Sequence, residues 1–239
     1  MSDTLYIVMP AYNEGTNIHC TLEQWYPIVA RLGGESRLVV FDDGSKDDTY
    51  VQMQEFARTH PLFIPMTKEN SGHGATLIEA YRYALDQGAD YVFQTDSDGQ
   101  TNPKEFWAFW DRREDFDMVI GWRRGRQDGF SRVIVTKTLK VVVKLLFHVT
   151  VTDANTPYRL MSAPTLRENL AFVPDGFNLT NVVLAAVYAK RHQRVTYLPV
   201  TFKPRQGGVN SINLRRIAGI GYHALRDFTR INKTIDAAL

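Results

Sequence analysis

The sequence predicts an α/β protein: a mostly parallel β-sheet flanked by helices, with amphipathic helices at the C-terminal end. Three observations predict it. Short apolar, β-rich runs alternate with longer stretches whose apolar residues recur near a 3.6 period, at least through residue 121. Polar clusters follow four of those runs, at the strand ends where ligands of open α/β sheets bind. Finally, 239 residues with 44% apolar content are enough to bury one substantial core. We expect one domain over residues 1–211 and an amphipathic helical extension over 212–239.

The elements follow in order. Leu5 to Met9 is a strand running into Pro10-Ala11-Tyr12-Asn13-Glu14, and Asn17 to Leu32 reads as a helix. Arg37 to Phe41 is a strand ending in Asp42-Asp43-Gly44-Ser45, with Ser45 and Asp48 spaced as a capping box for a helix over Asp48 to Arg58. Phe63 to Met66 leads into Asn70-Ser71-Gly72-His73-Gly74 and a helix from Ala75 to Gln87. Tyr91 to Thr95 leads into Asp96-Ser97-Asp98-Gly99-Gln100, and then a helix over Pro103 to Arg113. Met118 to Ile120 is a further strand, followed by a Gly- and Arg-rich loop over Gly121 to Gly129. The second half is less regular. Val133 to Val151 is apolar and basic, Thr156 to Met161 and Val195 to Phe202 read as strands, and Leu179 to Lys190 reads as a helix. Pro204 to Asn213 is a glycine-bearing loop before an amphipathic tail, Leu214 to Ile231.

Two carboxylates one residue apart at the end of a buried strand are costly unless something cationic meets them. Asp96 and Asp98, with the neutral oxygen of Gln100, suit Mg²⁺ or Mn²⁺ completed by phosphates and water. An Asx-turn leading to an N-cap at Asn102 with Pro103 at the first helical position is the alternative, and it leaves both aspartates unexplained. Capping accounts for Ser45 and Asp48 but not for Asp42, whose carboxylate can accept hydrogen bonds from a nucleobase or ribose. Asn13 and Glu14 suit a helix N-terminus as well as a ligand. Gly72 and Gly74 permit either a tight turn or close backbone approach, and His73 reads as structural rather than catalytic.

Taken together, Pro10 to Glu14, Asp42 to Ser45 with Asp47 and Thr49, Gly72-His73-Gly74, and Asp96 to Gln100 with Pro103 resemble family 2 glycosyltransferases in order and spacing. Within that family the chain is most similar to the dolichol phosphate mannose synthase and polyprenyl phosphate glycosyltransferase branch, from about Leu5 to Asn213. The resemblance implies a glycosyltransferase A (Rossmann-like) fold and an inverting, metal-dependent hexosyltransferase using GDP-mannose or UDP-glucose and a polyprenyl or dolichyl phosphate. It implies a donor site at Pro10, Tyr12, Asn13, Glu14, Asp42, Asp43, Gly72, Asp96 and Arg205, and a metal site at Asp96, Asp98 and Gln100. Gly121-Trp122-Arg123 resembles the family's Gly-Ser-Arg loop, and Asp153 to Arg159 its Asp-x-x-Ser-Gly-Phe-Arg segment. Leu198 to Phe202 followed by Arg205 resembles its late strand and donor-closing arginine loop. Asp98, Arg205 and Arg123 are therefore the expected catalytic residues, and Arg123, Arg132, Arg159 and Lys137 the candidates for the acceptor phosphate.

The chain also departs from the family. Thr156-Pro157-Tyr158-Arg159 stands where Ser-Gly-Phe-Arg is usual, Ile212 replaces a late-loop lysine, and Thr180 and Asn181 lie near the place of a common glutamate. These changes leave open transfer to a saccharide hydroxyl in cell-surface polysaccharide synthesis, and a non-catalytic nucleotide-sugar binder. A polyprenyl phosphate arrives ionised and requires no strong base, whereas a hydroxyl requires one, with Asp153 and Asp175 as candidates. The Gln-x-x-Arg-Trp element of processive polysaccharide synthases is absent.

A net charge of +2, from 28 Lys and Arg against 26 Asp and Glu, does not indicate a nucleic-acid partner. Cys20 is the only cysteine, which excludes an intramolecular disulfide and suits a reducing cytoplasm. The start MSDTLYIVMP lacks a basic region followed by a long apolar stretch, so no secretory signal is expected. No run approaches the roughly 20 apolar residues that span a bilayer. The expected place is therefore the inner membrane face, held peripherally. On a helix over Val133 to Val151, Lys137, Lys140, Lys144 and His148 share one narrow face among Leu139, Val142, Leu145, Leu146 and Phe147. That stripe suits a membrane interface, or the solvent face of a core helix; the valines also permit a strand. In the tail, Leu214, Ile217, Leu225, Phe228 and Ile231 make an apolar side accompanied by Arg215, Arg216, Arg226 and Arg230, for docking on the membrane, the domain or another subunit.

Overall fold

The computed structural model describes residues 3–123, 130–203 and 226–238, with the backbone alone over 130–138. Strands β1 (Leu5–Ala11), β2 (Arg37–Asp42), β3 (Phe63–Thr67), β4 (Tyr91–Thr95), β5 (Met118–Arg123), β6 (Tyr158–Ser162) and β7 (Val195–Val200) form one sheet in the order β3-β2-β1-β4-β6-β5-β7. β6 runs antiparallel to β4 and β5, and every other neighbouring pair is parallel. The continuous apolar reading of β1 has a simple cause. All seven of its residues are buried, as expected of a parallel strand covered on both faces.

The chain moves outward from β1 through β2 to β3, then crosses back to place β4 on the other side of β1. This reversal opens a crevice beyond the carboxyl ends of β1 and β4, where ligands of such sheets bind. Alternate strand residues feed two cores. Leu5, Ile7 and Met9 pack with Trp25, Phe93, Phe106 and Phe109 on one face, while Tyr6 and Val8 pack with Leu77, Tyr81 and Val182 on the other.

The covering helices are α1 (Ile18–Leu32), α2 (Thr49–Ala57), α3 (His73–Asp86), α4 (Phe106–Trp110), α5 (Phe130–Phe147), α6 (Ala163–Leu170) and α7 (Thr180–Lys190). The helix expected over Pro103 to Arg113 is instead a 3₁₀ turn, Pro103–Glu105, followed by the aromatic α4. The stretch from Val133 is helical in α5, which ends at Phe147. α6 escapes a periodicity reading because it is short and carries Pro164, which here occupies the helix start rather than breaking it. α7 is buried on all sides from Thr180 through Tyr188, which explains why it lacks an amphipathic pattern.

A final helix, α8, spans 226–236. Its Phe228, Ile231 and Ile235 are buried in the same core cluster as α3 and α7. The Phe228 ring centre lies 5.5 Å from that of Phe147 and 5.9 Å from that of Phe177. Lys190 of α7 binds Asn232 and Asp236. This end of the tail therefore docks on the domain; Leu214, Arg215, Arg216, Ile217 and Leu225 lie outside the described residues.

Replacing Phe228 by Ala should cost about 3–5 kcal/mol in urea unfolding, the usual range for an emptied aromatic site. A loss below about 1 kcal/mol, no more than an ordinary surface change, would contradict the docked helix.

Candidate functional site

The strand-end loops are tied together by hydrogen bonds that cross the crevice. Beyond β1, Asn13 takes a positive φ of 55°. Its N–H donates to Ser45 Oγ at 2.9 Å and its Oδ1 accepts from Lys46 N at 2.8 Å. Glu14 is buried, its N–H donating to Thr49 Oγ1 at 2.9 Å and its Oε2 accepting from Asn17 Nδ2 at 2.9 Å. Asn13 and Glu14 thus build the junction between the β1 and β2 loops. Tyr12 stands 44% exposed over it, while Pro10 lies within β1 and accepts Ser97 Oγ at 2.8 Å from the β4 loop.

Asp42 and Asp43 are both buried but serve differently. Asp42 accepts from Ser45 N at 3.2 Å and from Thr67 Oγ1 at 2.9 Å, which fixes its carboxylate at the tip of β2. Asp43 reaches across to the loop after β3, accepting from Ser71 N at 2.8 Å, Gly72 N at 2.9 Å and Lys68 Nζ at 3.0 Å. Burial opposes its ionisation, yet the Ser71 N–H, the Lys68 ammonium, the Thr76 hydroxyl and the Gly72 N–H outweigh that and hold its pKa below the ordinary value. Its contribution is the shape of the Gly72 loop. That loop packs tightly against the backbone of 177–178: a Cβ on Gly74 would lie 2.1 Å from Phe177 O. Thr180 Oγ1 completes the seam by donating to Gly74 O at 2.9 Å.

The β4 loop contains the turn and cap that the sequence offered as the alternative to a metal site. Asn102 caps the following turn through Lys104 N at 3.2 Å, with Pro103 in the first position. Asp98 Oδ1 accepts from Gln100 N at 3.1 Å, an Asx-turn made possible by Gly99 at φ 72°. Asp96 belongs to neither arrangement. Its Oδ1 meets His73 Nε2 at 3.2 Å. Desolvation alone would lower the imidazole pKa, but the Asp96 hydrogen bond and charge, with Asp43 and Asp98 adding, raise it above the ordinary value. His73 therefore stands at the site, which the sequence did not indicate, because a partner 23 residues away leaves no local signal.

Gln100 is clamped to the chain leaving β7. Lys203 N donates to Gln100 O at 2.8 Å and Gln100 Nε2 donates to Lys203 O at 2.9 Å, while Thr101 bridges Phe202. Asp96, Asp98 and Gln100 offer two carboxylates and an amide, hard oxygen donors that fit Mg²⁺ or Mn²⁺ with most positions left to phosphate and water. Among the described residues no group of three or more His, Cys, Asp and Glu is placed to hold a metal ion by itself.

The acceptor-side candidates are dispersed. Arg123 forms a two-pronged contact with Asp153 at 3.0 Å for each bond. Arg159 requires correction: it is fully buried, and its guanidinium donates to the carbonyls of Thr156 at 2.8 Å, Asn181 at 2.7 Å and Ala154. It anchors β6 to α7, since a buried guanidinium must spend its N–H groups on fixed acceptors, and an incoming phosphate cannot reach it. Asp175 pairs with Arg82 at 2.6 Å on an exposed surface. The side chains of Arg132 and Lys137, and the whole of Arg205, lie outside the described residues.

Residues 6–198 match the family model described as glycosyl transferase family 2. Over 231 residues the chain is 26% identical to undecaprenyl-phosphate mannosyltransferase of Micrococcus luteus, covering 93% of this chain and 91% of that protein. Over 226 residues it is 23% identical to undecaprenyl-phosphate 4-deoxy-4-formamido-L-arabinose transferase of Salmonella paratyphi B, covering 90% of this chain but 64% of that longer relative. Among solved structures, glucosyl-3-phosphoglycerate synthase of Mycobacterium tuberculosis with Mn²⁺, uridine diphosphate and phosphoglyceric acid superposes with a TM-score of 0.71 at 19% identity, covering 96% of this chain and 78% of that one. At that identity the likeness establishes the shared fold.

The lowered Asp43 pKa carries a pH signature. Its stabilising contribution is complete above the ordinary carboxylate value of 3.8 and is lost as the pH falls through its depressed folded value. Asp43→Asn should lower stability at pH 7 and flatten the acid limb of a urea-unfolding series. An unchanged acid limb would rule out this role.

Proposed function

We propose that this chain, which belongs to glycosyl transferase family 2, moves a hexose from a nucleotide diphosphate donor of the GDP-mannose or UDP-glucose type to a polyprenyl phosphate. The observation that carries the reading is the joining of the β1, β2, β3 and β4 loops by hydrogen bonds at one end of the sheet, with His73 on Asp96 and Ser97 on Pro10. The acceptor assignment draws support from the two undecaprenyl-phosphate transferases, each matched over at least 90% of this chain. The catalytic unit is residues 1–211, and 212–239 is an extension whose end folds back on it.

In this reading Tyr12 and Asp42 receive the nucleoside, one by its exposed ring and the other by its fixed carboxylate. The Gly72 loop, shaped by Asp43, brings backbone close to the diphosphate. Asp96, Asp98 and Gln100 would hold Mg²⁺ or Mn²⁺, which supplies Lewis-acid neutralisation of charge on the leaving diphosphate. Arg205, which lies outside the described residues, is assigned the grip on the same phosphates by its place in the family pattern. Arg123 meets the acceptor phosphate, which attacks the anomeric carbon from the opposite face and arrives ionised, without demanding a base.

The acceptor lies in a membrane, and α5 provides a surface for it. Val143 and Phe147 are buried against the domain while Lys140, Val141, Lys144, Leu145 and His148 are exposed. Val141 at 55% and Leu145 at 66% exposure are one turn apart, with Lys140 and Lys144 beside them. Apolar residues flanked by lysines suit peripheral docking on anionic lipid at the inner membrane face. No helix of the described residues is long and apolar enough to cross a bilayer.

Incubation with radiolabelled nucleotide sugars, undecaprenyl phosphate and Mn²⁺ should yield an organic-extractable lipid-linked sugar. Asp98→Ala should reduce it by about a hundredfold or more, the scale of losing an electrostatic stabiliser of the transition state. Full activity in chelator would remove the metal assignment, and a product found only on saccharides would remove the acceptor assignment. For α5, Val141→Glu with Leu145→Glu should abolish co-sedimentation with phosphatidylglycerol vesicles while leaving thermal stability intact. Unchanged co-sedimentation would eliminate this face as the docking surface.

A further inference from the structure

The contact between Arg123 and Asp153 has a geometry that separates two roles for the aspartate. Nε reaches Oδ2 and Nη2 reaches Oδ1, both at 3.0 Å, and the side chains are 13% and 9% exposed. Arg123 closes β5 opposite Val200, the last residue of β7. Its guanidinium carbon stands 5.3 Å from the centre of the Phe202 ring, and Phe202 bridges Thr101 next to Gln100. The pair therefore leans on the same backbone that carries the Asp96 to Gln100 loop.

A general base must offer an oxygen to the proton it takes, within hydrogen-bond reach. Both Asp153 oxygens already receive guanidinium N–H groups. A two-pronged carboxylate instead fixes the plane of an arginine. Rotamer freedom surrendered in the folded protein need not be lost again when a phosphate binds. The grip uses Nε and Nη2, and Nη1 lies outside it. We propose that Asp153 is a positioning residue that holds Arg123 so that the Nη1 edge of its guanidinium meets the acceptor phosphate. This rests on the transferase reading above and extends it to the acceptor half of the site.

The test is steady-state kinetics of the full chain with its donor, Mn²⁺ and detergent-solubilised undecaprenyl phosphate, comparing Asp153→Asn, Asp153→Ala, Arg123→Ala and the Asp153→Ala/Arg123→Ala double variant. Asp153→Ala should raise the acceptor KM about tenfold or more, in keeping with the loss of a charge-assisted contact, and leave the donor KM near wild type. Asp153→Asn should fall between the two, because its amide oxygen accepts one of the two bonds. The double variant should be no worse than Arg123→Ala, since residues acting through one another are not additive. The pH–rate profile should keep its shape in Asp153→Asn.

Loss confined to kcat with disappearance of the basic-group limb would overturn the proposal in favour of a base, and additive losses would overturn it as well. A donor-induced thermal shift equal to wild type identifies folded variants; where Asp153→Ala does not fold, Asp153→Asn carries the comparison. A wild-type protein that makes no lipid-linked sugar refutes the transferase reading and this proposal together. An active wild type with an unchanged acceptor KM in the folded Asp153 variants refutes this proposal alone.

Discussion

A carboxylate at the mouth of a buried sheet is unstable unless donors meet it, and the architecture of this protein follows from where those donors come from. Asp42 takes the Ser45 N–H and the Thr67 hydroxyl, Asp43 takes two N–H groups and Lys68, Asp96 takes His73, and Asp153 takes Arg123. Each of these bonds joins the carboxylate to another loop or strand, apart from the turn that Asp42 closes with Ser45. Satisfying the acids therefore assembles the crevice. The same groups that would be a liability as isolated charges become the ties that fix its walls.

The two halves of the crevice solve this problem with different means. The half at β1, β2 and β3 is built from parallel strands, and its acids are met largely by backbone N–H groups and short hydroxyl side chains. These partners are short and hold their geometry closely. The other half begins where β6 runs against its neighbours, and there a guanidinium meets the acid, Arg123 on Asp153, while Arg159 serves three carbonyls in the core beneath.

Legibility in the sequence follows the range of the interactions. The strands from Leu5, Arg37, Tyr91 and Met118 were readable because burial on both faces demands apolar runs, and the edge strand from Phe63 from its short β-rich run. Asn102 and Pro103 were readable because capping is local. His73 was not: its relation to Asp96 exists only once α3 and β4 lie side by side. Arg159 was misassigned for the same reason, since its motif indicates an arginine near the site but not that the carbonyls of Thr156, Asn181 and Ala154 surround it. Asp42 and Asp43 look equivalent as neighbours, yet Asp42 closes its own turn with Ser45 and meets Thr67 at the tip of β3, while Asp43 reaches farther along to Ser71 and Gly72.

The sequence by itself determined the alternation of strand and helix, the four polar loops at strand ends and, by resemblance, the family whose model spans residues 6–198. These properties are written in periodicity and in contiguous motifs. Only the tertiary structure decided which acids are committed to building the loops, that His73 meets Asp96, that Arg159 is enclosed in the core, and that the end of the tail packs on the domain through Phe228, Ile231 and Ile235. Each of those outcomes is a choice of partner across the fold, settled by which donors the sheet order brings within hydrogen-bonding distance and which faces it leaves to be covered.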